Sequence, residues 1–266
     1  MLGKLLKHEF RATGRVFILF YAAMIGAAIV TRLLSLTRSS GLLPPAPYIL
    51  GIVAVSILIA GVMIVALILT IQRFNKNLIG DEGYLMFTLP VSRDGLILSK
   101  LIASVVWTLV SVIVALIALM IIIPDMARGM LNGLSYFFTK FLPLYGWKMD
   151  VSLIFAFLAG LCGIAWSVLS IYAACSLSML SNSRRGAAAF GFWFAISVVV
   201  QILGTIAISI LTRLKFWEWF DGWFQRIDYG TAELLISGGS LFLAAAGCAI
   251  LYFITRQMLK HKLNLE

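Results

Sequence analysis

Charge is scarce in this 266-residue chain: 12% of its residues are Asp, Glu, Lys or Arg, against roughly 25% in a soluble domain. Hydrophobic residues make up 62% of it, and the mean hydropathy is +1.03. One water-facing core cannot hide that much apolar surface, so an ordinary soluble domain is excluded and a polytopic membrane protein is indicated. Histidine occurs twice, as His8 and His261 near the two termini, which argues against a histidine-based metal site. The three cysteines, Cys162, Cys175 and Cys248, lie inside apolar runs without CxxC spacing and read as small buried hydrophobes. The sequence has no GxxxxGK followed by Ser or Thr, no HExxH and no GxSxG, so the phosphate-cradling loop, the zinc-protease helix and the nucleophile elbow are all missing. The centres of its apolar runs carry no Asp, Glu, Lys, Arg or His, and Gln201 is the main strongly polar exception. Ion-coupled transporters use ionisable groups at depth, and membrane enzymes need converging acids, bases, nucleophiles or metal ligands. The expectation is therefore no catalysis and no cofactor in this chain, with any driving energy supplied by a partner.

What is present is a succession of apolar runs. Six are long enough to cross a hydrocarbon core, which takes about 20 residues: about 16–36, 48–71, 100–123, 151–177, 186–211 and 235–254. The expected fold is all-α, a single six-span transmembrane domain over residues 1–266. Orientation follows from the basic residues. With the N-terminus inside, thirteen of the 21 lysines and arginines fall on inner segments and eight on outer ones. By the positive-inside rule this places both termini and residues 72–100 in the cytoplasm. The formal charge of +10 then belongs to span flanks facing anionic headgroups rather than to a nucleic-acid surface.

Several segments between spans have their own pattern. In residues 1–15, Leu2, Leu5, Leu6 and Phe10 fall on one helical face, and Lys4, Lys7 and Arg11 largely on the other. That is a basic amphipathic helix suited to the membrane interface. A signal peptide would need a small-residue cleavage site, and none that is convincing follows. Residues 124–150 contain Pro124, Gly129, Gly133, Pro143 and Gly146 among aromatics, and are expected to be irregular at headgroup level. Between spans five and six, Phe216, Trp217, Phe220, Trp223, Phe224 and Ile227 follow helical spacing, predicting an amphipathic outer-leaflet helix. Phe10, Trp217, Trp219 and Trp223 are the expected interface anchors. Small residues recur at four-residue spacing, as in Ala22/Gly26, Ala156/Gly160 and Ala187/Gly191/Ala195, and such ridges let helices approach closely.

The one long polar stretch runs from Gln72 to Lys100. Asp81 and Glu82 precede Gly83-Tyr84-Leu85-Met86-Phe87, and acids at a helix start favour its positive end. Pro90 stops the helix after Thr88-Leu89, and Ser92 can cap the next, with Asp94 in its first turn. The prediction is a short helix Asp81–Leu89 wired into span three.

The run EGYLMFTLPVSRDGLILSK, following a second span and opening a third, resembles the cytoplasmic coupling segment of bacterial ABC transporter permease subunits of the type-2 exporter class. The basic start KLLKHEFRATGR and the six-span plan are similar to the same class. The resemblance implies a homodimer or heterodimer of permease subunits in the bacterial plasma membrane, each docking a separate ATP-binding subunit that holds ATP and Mg. It also implies that Asp81, Glu82, Gly83, Tyr84, Leu85, Met86, Phe87, Thr88, Leu89 and Pro90 form the coupling contact, with a minor contact from Ser181, Asn182, Ser183, Arg184 and Arg185. Spans without charge at their centres fit an exporter of an amphipathic or apolar cargo such as a peptide, lipid or drug. The alternative is a non-transporting membrane scaffold or accessory subunit, which would lack catalytic residues equally.

Overall fold

A computed structural model describes residues 2–39, 44, 46–76, 93–180 and 185–262. Among these residues there is no strand. The long helices are α1 (Leu2–Ser39), α2 (Ala46–Phe74), α3 (Arg93–Ile122), α6 (Trp147–Leu177), α7 (Arg185–Arg213) and α9 (Tyr229–Lys262). The shorter ones are α4 (Pro124–Tyr136), α5 (Leu142–Tyr145) and α8 (Phe216–Phe224). By length and composition, six helices can cross a membrane. Each corresponds to one expected span, and each is longer than expected.

No break separates residues 1–15 from the first span. α1 is one helix of 38 residues, about 57 Å long at 1.5 Å per residue, nearly twice a hydrocarbon core. Residues 124–150 also depart from expectation. In place of irregular chain they form α4, a π-helical turn over Phe137–Phe141, and α5. Pro124 sits in the first turn of α4 with Asp125 beside it, both favourable at a helix start. The glycines within α4 cost only about 1 kcal/mol each, too little to open it. The break falls instead at Gly146, whose φ of 61° and ψ of −153° lie where side chains with a Cβ are strained.

The described helices sort into two compact units: α1, α2 as far as Arg73, α3 and α4 in the first, and α5 to α9 in the second. In the first unit, α1 presents a buried stripe of Glu9, Thr13, Phe17, Met24, Ala28 and Thr31. Met24 and Ala28 meet Val55 of α2 and Ala118 and Ile122 of α3 in a closed cluster. At Gly51 of α2 a Cβ would lie 2.6 Å from Thr31 Oγ1, so a residue without one lets α1 and α2 touch. Large aliphatics such as Ile18, Leu19, Leu50 and Ile57 stay exposed. In lipid that exposure costs nothing, and helix association rests on packing and interhelical hydrogen bonds.

In the second unit α6 and α9 run against each other. Tyr172, Ala173, Ala174 and Cys175 of α6 are buried, as are Leu251 and Thr255 of α9. Phe74, the last residue of α2, sorts with this unit and stacks on Tyr172 with ring centroids 4.3 Å apart. At Gly247 a Cβ would fall inside the Trp166 ring. Gly247→Ala must displace the indole or part the helices, at about 1–3 kcal/mol for overpacking. A lowered melting temperature in detergent is the expected result. An unchanged one contradicts the contact.

Candidate functional site: a buried ion cluster in the first unit

Three charged side chains that sit far apart in sequence meet in the first unit. Glu9 lies near the start of α1, Arg73 in the last turn of α2, and Lys100 a few residues into α3. Lys100 Nζ donates to Glu9 Oε1 at 2.8 Å. Arg73 Nη1 donates to Glu9 Oε2 and approaches the Glu9 carbonyl at 3.5 Å. Thr13 Oγ1 donates to that same carbonyl at 2.8 Å. The side chains of Glu9 and Lys100 are only 7% and 2% exposed, with Arg73 at 24%.

The local sequence explains the convergence. Glu9 shares its helical face with Thr13 and Phe17, four and eight residues on, so the seam that buries Phe17 buries Glu9 too. Arg73 at the end of α2 also complements the negative end of that helix. A carboxylate taken from water is costly unless its oxygens find cations and donors, and here each oxygen finds a cation. The cluster therefore pins the end of α2 and the start of α3 to the start of α1. Those two helix ends are the points from which residues 77–92 leave and return.

Above the cluster, α1 and α3 are held by rings. Phe17 stacks on Trp107 at 4.6 Å, and the Cβ position of Gly14 lies 3.5 Å from the same indole. Tyr21 Oη and Ser111 Oγ share a hydrogen bond of 2.8 Å. Phe10, expected as an interface anchor, is half-buried with its ring 5.9 Å from Trp107, so it has a partner within the protein.

The expected coupling contact, Asp81 to Pro90, lies outside the described residues, as do Ser181, Asn182, Ser183 and Arg184. Arg185 opens α7. Of the outer anchors, Trp217 and Trp219 are exposed on α8. Trp219 stacks with Trp223 at 6.4 Å, and Trp217 Nε1 donates to Thr212 Oγ1 at 3.1 Å.

In the second unit a separate latch joins the starts of α6 and α9. Lys148 Nζ donates to Asp228 Oδ1 at 3.0 Å and to Thr231 Oγ1 at 2.7 Å. Asp228 caps α9 by accepting from the Thr231 amide at 3.1 Å. The Thr231 hydroxyl, then Lys148, pull the Asp228 carboxyl down to about 2. Tyr145 and Tyr229 pack beside it at 5.0 Å. Among the described residues no three His, Cys, Asp or Glu side chains are grouped to hold a metal ion.

Compared with protein-family models, curated proteins and solved structures, the chain matches none. Its functional reading therefore rests on its own residues. Sequence reasoning missed the ion cluster because Glu9 was read within a basic surface helix and Lys100 as the first residue of a span. The signal was there: Glu9 is the single acid of residues 1–15, and it continues the apolar stripe.

Proposed function

We propose that this chain is the membrane-spanning permease subunit of an ATP-driven ABC transporter of the type-2 exporter class. It is driven by a separate ATP-binding subunit and carries an amphipathic or apolar cargo. The observation that carries the reading is the segment joining α2 to α3. It holds the acid-led apolar run EGYLMFTLP, and it emerges from two helix ends tied to α1 through Glu9.

An apolar run in a polar connector needs something to bury it, and a cleft in a partner subunit does so. Force applied at residues 81–90 would reach α2 and α3 directly, and α1 through the Glu9 carboxylate. The cluster then makes the three helices respond as one body to closure of the ATP-binding subunits. α8, with its exposed tryptophans, seats in the outer leaflet at headgroup depth, where amphipathic rings are favoured.

A partner that binds ATP can grip this segment only from the cytoplasm. A single cysteine at Asn77, in a background where Cys162, Cys175 and Cys248 are replaced by alanine, tests this. Impermeant maleimide is expected to label it only when the cytoplasmic face is open to the reagent. Labelling of intact cells from outside would overturn the reading.

A further inference from the structure

Helix α1 carries the ion cluster on one face and a row of unpaired cations on the other. At about 3.6 residues per turn, Lys4, Lys7, Arg11 and Arg15 fall within about 80° of arc, roughly opposite Glu9 and Thr13. All four are exposed, and among the described residues none makes an ion pair or a side-chain hydrogen bond. The same arc continues along the helix as Ile18, Ala22, Ile29 and Leu33, all exposed. One strip of α1 is thus cationic over its first turns and apolar from there on.

The depth of the strip follows from the helix rise. Residues 16–31 hold no Asp, Glu, Lys, Arg or His. Arg15 and Arg32 at their two ends lie about 26 Å apart at about 1.5 Å per residue, close to a hydrocarbon core of about 30 Å. The headgroup layer adds roughly 5–8 Å on each side. Arg11, about 6 Å beyond Arg15, shares that layer with it, and Lys7, about 12 Å beyond, stands at its edge. Lys4, about 16 Å beyond Arg15, stands clear of it. Because α1 runs unbroken from residue 2 into its span, this face does not lie flat along the surface. It stands through the headgroup layer beside single lipids.

We infer that this strip is a binding site for an acidic phospholipid, its phosphate held between Arg11 and Arg15 and an acyl chain laid along Ile18, Ala22 and Ile29. Side chains four residues apart on a helix are neighbours, with Cβ atoms about 5–6 Å from each other. Two guanidinium forks at that spacing can close on one phosphate, which they bind through paired, charge-assisted hydrogen bonds. A zwitterionic lipid offers the same phosphate but brings a second cation toward Lys7. An acidic lipid does not, so the site discriminates between them. Charge alone would equally suit an acidic protein surface. The apolar continuation decides for lipid, because a soluble partner meets Lys4 and Lys7 but leaves Arg15 and Ile18 uncovered. The inference rests on α1 crossing the membrane and is independent of the permease reading.

The test uses the full chain, purified without any ATP-binding subunit, in vesicles that mix phosphatidylcholine and phosphatidylglycerol. A fluorophore on Ala22→Cys, in the Cys162→Ala/Cys175→Ala/Cys248→Ala background, is quenched by brominated acyl chains beside it. Competition between the two lipids then gives their relative affinity at this strip. The expected result is a preference for phosphatidylglycerol on the order of tenfold, given the strength of single basic side chains at an anionic surface. The preference is expected to vanish in Arg11→Gln/Arg15→Gln and to persist in Arg213→Gln/Arg226→Gln, which removes two exposed arginines elsewhere. Equal loss in both variants overturns the inference. So does the absence of any preference, the outcome if the strip receives an acidic protein surface. Displacement of the lipid by soluble glycerol phosphate, the outcome if free phosphate is the ligand, overturns it too. In case the cysteine-free chain fails to fold, the chain with its native cysteines is extracted from vesicles holding equal amounts of the two lipids, and its retained lipid is measured by mass spectrometry. Enrichment in phosphatidylglycerol that Arg11→Gln/Arg15→Gln abolishes is expected, and enrichment unchanged by that variant overturns the assignment.

Discussion

Replacing Glu9 by alanine is expected to destabilise the first unit by about 3–5 kcal/mol, the cost of leaving buried charge behind when one member of an ion cluster is removed. Lys100 Nζ, in a site 2% exposed to solvent, would then lose Glu9 Oε1, an acceptor at 2.8 Å. Arg73 is 24% exposed and can turn toward water, whereas the Lys100 side chain, 2% exposed, cannot. Two companion variants separate the causes. Glu9→Gln keeps the shape and one acceptor but removes the charge, and should fall between wild type and alanine. Glu9→Ala/Lys100→Met removes both members of the 2.8 Å pair and should recover part of the loss, because an apolar replacement of a whole buried ion pair is often neutral. Denaturant unfolding in detergent micelles is the measurement, with Lys4→Ala at an exposed position of the same helix as the control. A Glu9→Ala chain within about 0.5 kcal/mol of wild type, the range of ordinary surface substitutions, would remove the cluster from the structural argument.

The second large effect is expected at the segment between α2 and α3. Tyr84→Ala/Phe87→Ala should release the ATP-binding subunit and abolish ATP hydrolysis coupled to this chain. Aromatic side chains seated in a partner's pocket typically cost 2 kcal/mol or more on truncation, about 30-fold in affinity for one ring alone. The chain's own melting should stay near wild type, which distinguishes this variant from Glu9→Ala. The competing picture is a connector lying on lipid, with Tyr84 and Phe87 dipped among headgroups. It predicts that the double variant keeps its ATP-binding partner and full hydrolysis. The two pictures thus part on one co-purification.

The spans were legible in the sequence because the pattern was gross: long uncharged runs leave few alternatives to membrane helices. Their ends were not. Lys100 was read as a boundary because lysine ordinarily marks the edge of the hydrocarbon, and the residue that neutralises it, Glu9, lies 91 positions away. No local pattern pairs residues at that distance. Residues 124–150 were misread for the opposite reason. Pro124, Gly129, Gly133 and Pro143 are strong local signals for a loop, yet the prolines fall in first turns of α4 and α5, where they are tolerated. Only Gly146, with its positive φ, ends a helix. Gln201 was visible as the main strongly polar residue at the centres of the apolar runs, but its exposure required the fold.

The central claim is that energy enters this chain from a separate ATP-binding subunit. The most direct measurement is of the tagged wild-type chain, purified from the cells that encode it into lipid nanodiscs and assayed for subunit stoichiometry and ATP turnover. The predicted result is an ATP-binding protein in equimolar amount and vanadate-sensitive hydrolysis. A chain that purifies intact and dimeric, with no ATP-binding protein and no hydrolysis, would contradict it.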